Sequence, residues 1–157
     1  MTVTADVQVA CSDPEIPAVA EIQDWITAAI DASGRRPAGD VDVAVRVVDA
    51  DEIRTLNRLY RDKDKTTNVL SFPAGNIEGL PAEAGVQLGD VVVCAAVVAV
   101  EATEQGKAIN DHWAHMIVHG TLHLLGFDHG NDAEAIEMEA LETQILASQN
   151  VTDPYAG

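Results

Sequence analysis

Three histidines constrain this chain more than any other feature: His119, His123 and His129 fall within eleven residues, in His119-Gly120-Thr121-Leu122-His123-Leu124-Leu125-Gly126-Phe127-Asp128-His129. Residues four apart on a helix share a face with Cβ atoms roughly 5–6 Å apart, which two ligands of one tetrahedral ion can span. Gly126 can adopt the left-handed conformation without a Cβ penalty, so it ends the helix and lets Phe127 and Asp128 turn the chain back. His119, His123 and His129 are therefore the expected metal ligands. Three neutral imidazoles leave a fourth position open, the arrangement of catalytic zinc. The alternative, unrelated core and loop histidines, has to put three of the five histidines at ligand spacing by coincidence. Zinc is the expected ion, but nickel, cobalt and copper accept three imidazoles as well.

His115 lies one turn before His119. It either orients a ligand or receives a proton, or, like His112, it is a satisfied core or surface histidine. Asp128 is read either as an acceptor behind a ligand or as a turn residue.

The surrounding pattern predicts an α+β fold. Val3, Val7 and Val9 alternate roughly, and Val41, Val43, Val45 and Val47 alternate strictly, so both stretches read as strands. Ser12-Asp13-Pro14-Glu15 signals a helix start, with Ile16, Val19, Ile22, Ile26 and Ile30 at helical spacing until Ser33-Gly34. Asp49 or Asp51 caps a second helix with Ile53, Leu56, Leu59 and Tyr60 as its apolar stripe. Residues 68–72 form a short edge strand closed by Pro73, residues 75–89 a loop, and residues 90–93 a buried strand leading into a helix over 95–105 that Gly106 ends. Asn110 or Asp111 caps the histidine helix, and a last helix from Asn131-Asp132 buries Ile136, Leu141 and Ile145. The expectation is one domain over residues 1–157, with about four strands in a mixed sheet, about five helices, and the metal-binding helix in the C-terminal half.

Hydrophobic residues make up 47% of the 157, a globular composition. The first ten residues lack a signal peptide's basic start and apolar run, and the most apolar stretch, residues 91–100, is too short to cross a bilayer. A cytoplasmic location with no membrane association is expected. Cys11 and Cys94 fit no CxxC pattern and need no disulfide. The net charge of −17 argues against a broad nucleic-acid-coating surface. Five of the nine basic residues nevertheless cluster, as Arg54, Arg58, Arg61, Lys63 and Lys65. After His129 the chain carries Asp132, Glu134, Glu137, Glu139, Glu142 and Asp153 with no Lys or Arg, which reads as a solvated helix face.

Zinc proteases of the HExxH type place a glutamate general base after the first histidine, where this chain has Gly120. A metal still lowers the pKa of its water to about 7, and a phosphodiester asks chiefly for cations that hold its oxygens. Arg61 is the best placed, because a guanidinium grips phosphate through two parallel hydrogen bonds. Arg61 and His119 are thus the candidate catalytic residues.

Several separate blocks together resemble the YbeY family of bacterial rRNA maturation endoribonucleases. They are Leu56-Asn57 with Tyr60-Arg61; Asp64-Lys65 with Thr67-Asn68-Val69-Leu70-Ser71-Phe72-Pro73; Leu88-Gly89-Asp90-Val91-Val92-Val93; and the histidine run, in which His119, Gly120, Leu122, His123, Leu124, Gly126, Phe127, Asp128 and His129 match. The resemblance implies a single-strand-directed, metal-dependent endoribonuclease acting in 16S rRNA 3′-end maturation and ribosome quality control. Its implied partners are single-stranded RNA and the ribosome or small subunit, with no DNA expected. It also implies that His119, His123 and His129 hold the metal and that Arg61 is the essential arginine. Two other accounts compete: a non-catalytic, metal-containing ribosome assembly factor, and a metalloprotease, which shares the helix but lacks the glutamate.

Overall fold

Alternating valines bury one face of a strand, and Val41, Val43, Val45 and Val47 of β2 (Val41–Val48) are each no more than 1% exposed. The computed structural model describes residues 2–12, 15–74 and 85–155. In it β2 lies inside a four-stranded mixed sheet of order β1-β2-β4-β3. β1 (Val3–Val9) and β4 (Val86–Cys94) flank it in parallel, and β3 (Val69–Pro73) runs antiparallel along β4 at the edge. Pro73, with no N–H to donate, ends this edge strand. The β2–β4 register shifts so that Asp42 faces Gln87 and Val43 faces Gly89. Gly89 has φ +145°, and a Cβ there would collide with the Phe72 carbonyl oxygen, so the irregularity requires glycine.

Five helices complete the described fold: α1 (Val19–Ala32), α2 (Ala50–Arg61), α3 (Ala95–Gln105), α4 (Ile109–Leu124) and α5 (Asp132–Ser148). The main core joins Val41, Val43, Val45 and Val47 of β2 and Val91 and Val93 of β4 to Ile22 and Ile26 of α1, Trp113 and Ile117 of α4, and Ile145 of α5. A smaller core joins Val48, Leu70, Val92 and Cys94 to Ile53 of α2. The expected α+β arrangement of four strands and five helices is what the described residues form. No helix among them is long and apolar enough to cross a membrane.

Several local expectations are corrected. Asp13 and Pro14 lie outside the described residues, but the first helix begins at Val19, not near Ser12, with Glu15 to Ala18 irregular. Pro17 steers Ile16 away from helical dihedrals, which delays the start. Asp49 caps α2 through Glu52 N–H at 2.9 Å, as expected, but Leu59 and Tyr60 are both 61% exposed and Asn57 is buried in their place. α4 is capped by neither Asn110 nor Asp111: Ala108 precedes it, and Asn110 Nδ2 donates to Glu21 Oε2 at 2.6 Å. In α5, Ile136 is 67% exposed, and Met138, Glu142, Ile145 and Leu146 face inward. Of the expected loop over 75–89, residues 75–84 lie outside the described residues and residues 86–89 belong to β4.

α4 is buried on most of its surface, with eleven of its sixteen residues inside. It lies so close to the sheet that a Cβ on Gly120 would sit 2.7 Å from Val91 Cγ1 and 3.3 Å from Ser71 Oγ. Gly120→Ala is therefore expected to destabilise the protein, although helix propensity alone favours alanine by about 1 kcal/mol. Overpacking costs about 1–3 kcal/mol, so the net loss is up to about 2 kcal/mol. The sign of the shift in urea midpoint checks this: a rise would mean that the α4–sheet contact is looser than described.

Candidate metal centre

Helical spacing aims His119 and His123 the same way, and their Nε2 atoms are 3.1 Å apart. The helix then stops in a Schellman turn: Gly126 N–H donates to the His123 carbonyl at 3.0 Å and Phe127 N–H to the Leu122 carbonyl at 3.1 Å. Gly126 has φ +94°, a conformation that any Cβ would strain. Phe127 buries itself in the main core beside Leu122, and this anchors the turn. Arg35 braces it from outside, donating from Nη1 to the Leu125 carbonyl at 3.1 Å with its guanidinium 3.8 Å over the Phe127 ring. His129 thereby returns to the pair, its ring 5.5 Å from that of His119 and 5.0 Å from that of His123.

One nitrogen from each of the three histidines lies within 4.8 Å of the others. Two nitrogens bound to one tetrahedral zinc at about 2.0–2.1 Å are about 3.3–3.4 Å apart, close to the His119–His123 separation. Burial first, and then the neighbouring His119 and His129, lower the His123 pKa to about 4. It is consequently neutral at pH 7, the form a metal needs. The donor set fits a divalent transition-metal ion. Asp128 proves to be a turn residue: its Oδ1 accepts from His129 N–H at 2.8 Å and lies 3.9 Å from His129 Nδ1, too far to orient the ring.

Glu142 was legible in the sequence only as part of an acidic, solvated face, and the structure overturns that. It is 0% exposed. Its Oε1 lies 2.8 Å from His119 Nδ1, and its Oε2 lies 2.9 Å from His115 Nε2 and 2.7 Å from the Tyr155 hydroxyl. Burial pushes its pKa up, but the hydrogen bonds from His115 and His119 outweigh this and hold it at about 2. Burial and the Glu142 hydrogen bond raise that of Tyr155. His115 is thus tied to His119 through a shared carboxylate. The signal for Glu142 was positional: it lies one turn after Met138 and one turn before Leu146, on the buried side of α5.

The histidines open onto a groove of about 690 Å³ that Arg61, Lys63 and Lys65 also line. Asp62, in the left-handed conformation, ends α2. The Asn57 side chain, donating to the Lys65 carbonyl at 3.0 Å, folds the following loop back beside the groove. Arg61 Nη2 donates to the Ser71 carbonyl at 2.8 Å, and its guanidinium is 5.3 Å from the Phe72 ring. Arg54, by contrast, is paired with Asp64 at 2.9 Å. The structure thus brings Arg61 into one groove with all three histidines.

Comparison with known proteins identifies the family. The family model described as Endoribonuclease YbeY matches residues 7–150. An Endoribonuclease YbeY of Halorhodospira halophila is 56% identical over 139 residues, covering 88% of each chain. Another, of Psychromonas ingrahamii, is 49% identical over 156 residues, covering 99% of this chain and 97% of that one. The solution structure of TM1509 from Thermotoga maritima shares the fold with a TM-score of 0.55, at 21% identity, over 98% of this chain and all of that one. With a family match from Val7 to Asn150 and relatives about half identical along nearly its whole length, this chain belongs to the YbeY endoribonuclease family.

Proposed function

We propose that this protein is a metal-dependent endoribonuclease of the cytoplasm that cuts single-stranded RNA, acting on the ribosomal small subunit in 16S rRNA 3′-end maturation and ribosome quality control. The observation that carries the reading is the groove that three convergent imidazoles share with Arg61, Lys63 and Lys65. His119, His123 and His129 would hold the ion, most simply zinc, with nickel or cobalt able to replace it. Such an ion supplies Lewis acidity toward a phosphate oxygen and promotes the ionisation of water. Arg61, held by the Ser71 carbonyl, keeps guanidinium N–H groups for a phosphate and stabilises charge that develops on its oxygens. Lys63 and Lys65 attract the flanking phosphates.

Gly120 speaks against the protease reading, because the space a glutamate would need is filled by Val91 and Ser71. A purely structural metal is disfavoured because His129 is exposed along 53% of its side chain and faces the groove.

One equivalent of metal should copurify and be lost in the His119→Ala, His123→Ala and His129→Ala variants. A labelled single-stranded RNA should be cut, casein should not, and a chelator should stop cleavage. RNA cleavage that survives complete metal removal would refute the metal's role. Arg61→Ala should keep metal and fold while slowing cleavage a hundred- to a thousandfold, about 3–4 kcal/mol in the barrier, and Arg61→Lys should recover little. Near-normal cleavage by Arg61→Ala would move the phosphate contact to Lys63 or Lys65. Because cations of the groove are few and the whole chain carries −17, RNA affinity should fall only gently with salt, as for about two to four phosphate contacts. A steep slope, equivalent to eight or more, would require a basic surface supplied by a partner.

A further inference from the structure

α5 is packed by apolar residues, and a carboxylate on its inward side must be compensated to be kept there. Among the described residues, the groups compensating Glu142 are His115, His119 and Tyr155, with no Lys or Arg pairing to it. An ionised carboxylate only accepts hydrogen bonds, so the proton on His119 must be at Nδ1, the atom 2.8 Å from Oε1. The lone pair of His119 is then at Nε2, which faces His123 Nε2 at 3.1 Å. The arrangement sets one tautomer and one ring orientation and aims the bare nitrogen at the other ligands.

We infer that Glu142 is a positioning residue for the metal: it locks His119 in the Nδ1–H tautomer and strengthens it as a ligand. The inference rests on the metal-centred reading above and concerns a residue on another helix. An imidazole that donates to a carboxylate gains electron density at its far nitrogen, so it binds a cation more tightly than one donating to a neutral acceptor. His115 and Tyr155 have a supporting part. Both donate to Oε2, which leaves Oε1 directed at His119. Tyr155 lies beyond α5, so a residue outside both packed helices helps to fix a carboxylate behind the metal site. A glutamate that only stapled α5 to α4 would affect stability and leave metal affinity alone.

The test is zinc affinity, measured by competition with a chromophoric chelator on folded wild-type, Glu142→Gln and Tyr155→Phe proteins, with thermal unfolding of each metal-free protein recorded alongside. Glu142→Gln should weaken zinc binding 10- to 100-fold. Tyr155→Phe removes one donor and keeps the His119 contact, so its affinity should change by no more than a few-fold whatever its stability. Nitrogen-15 spectra of the metal-free wild type should show His119 protonated at Nδ1, and this arm stands even if Glu142→Gln fails to fold. Unchanged zinc affinity in a folded Glu142→Gln protein, or a His119 proton at Nε2 in the wild type, overturns the assignment while leaving the metal site intact. Failure of the wild type to bind zinc, nickel or cobalt would overturn the metal reading and this one with it.

Discussion

The close seating of α4 on the sheet is the contact on which the rest of the site depends. At Gly120 the helix comes within reach of Val91 on β4 and Ser71 on β3, and the Ser71 hydroxyl donates to the Gly120 carbonyl at 2.9 Å. Ser71 also offers its backbone carbonyl to Arg61. One short edge strand therefore sets the distance between the histidine helix and the arginine that closes α2. A bulkier residue at position 120 would push the two walls of the groove apart and shift His119 and His123 with them. In this family member the position after the first histidine is a packing position, and the chemistry that a glutamate performs in HExxH enzymes has no room there.

An acidic protein whose family acts on RNA faces an electrostatic problem, and its charge distribution answers it locally. At physiological salt, charges are screened beyond about 8 Å, so the −17 total matters less to a phosphate in the groove than the few cations within reach. Arg61, Lys63 and Lys65 line that groove, whereas Arg54 is occupied by Asp64 and Arg46 by Glu52.

The three candidate ligands differ in how they are held. His119 and His123 come from a buried helix, and His119 is further tied by Glu142. His129 is delivered by a turn that depends on Gly126, the burial of Phe127 and the brace from Arg35. His119 and His123 are thus preorganised by the core, and His129 sits at the solvent edge of the groove.

The histidine spacing, the Gly126 stop, the valine alternation of β2 and the edge position of Pro73 were legible in the chain, because each is a local rule: helical period, backbone freedom, pleat and a missing donor. They suffice for the strands, the helices and the candidate ligands. Leu59, Tyr60 and Ile136 look like core residues by periodicity, yet they lie on the surface, because a helix face is buried only where another element covers it. Glu142 shows the converse: composition makes it one acid among several on a solvated helix, and only the packing of α5 against α4 surrounds it with His115, His119 and Tyr155. The sequence by itself determined which residues could bind a metal and where the chain must turn. The tertiary structure decided which carboxylate stands behind His119, since that pairing joins residues 23 positions apart whose meeting no local pattern encodes.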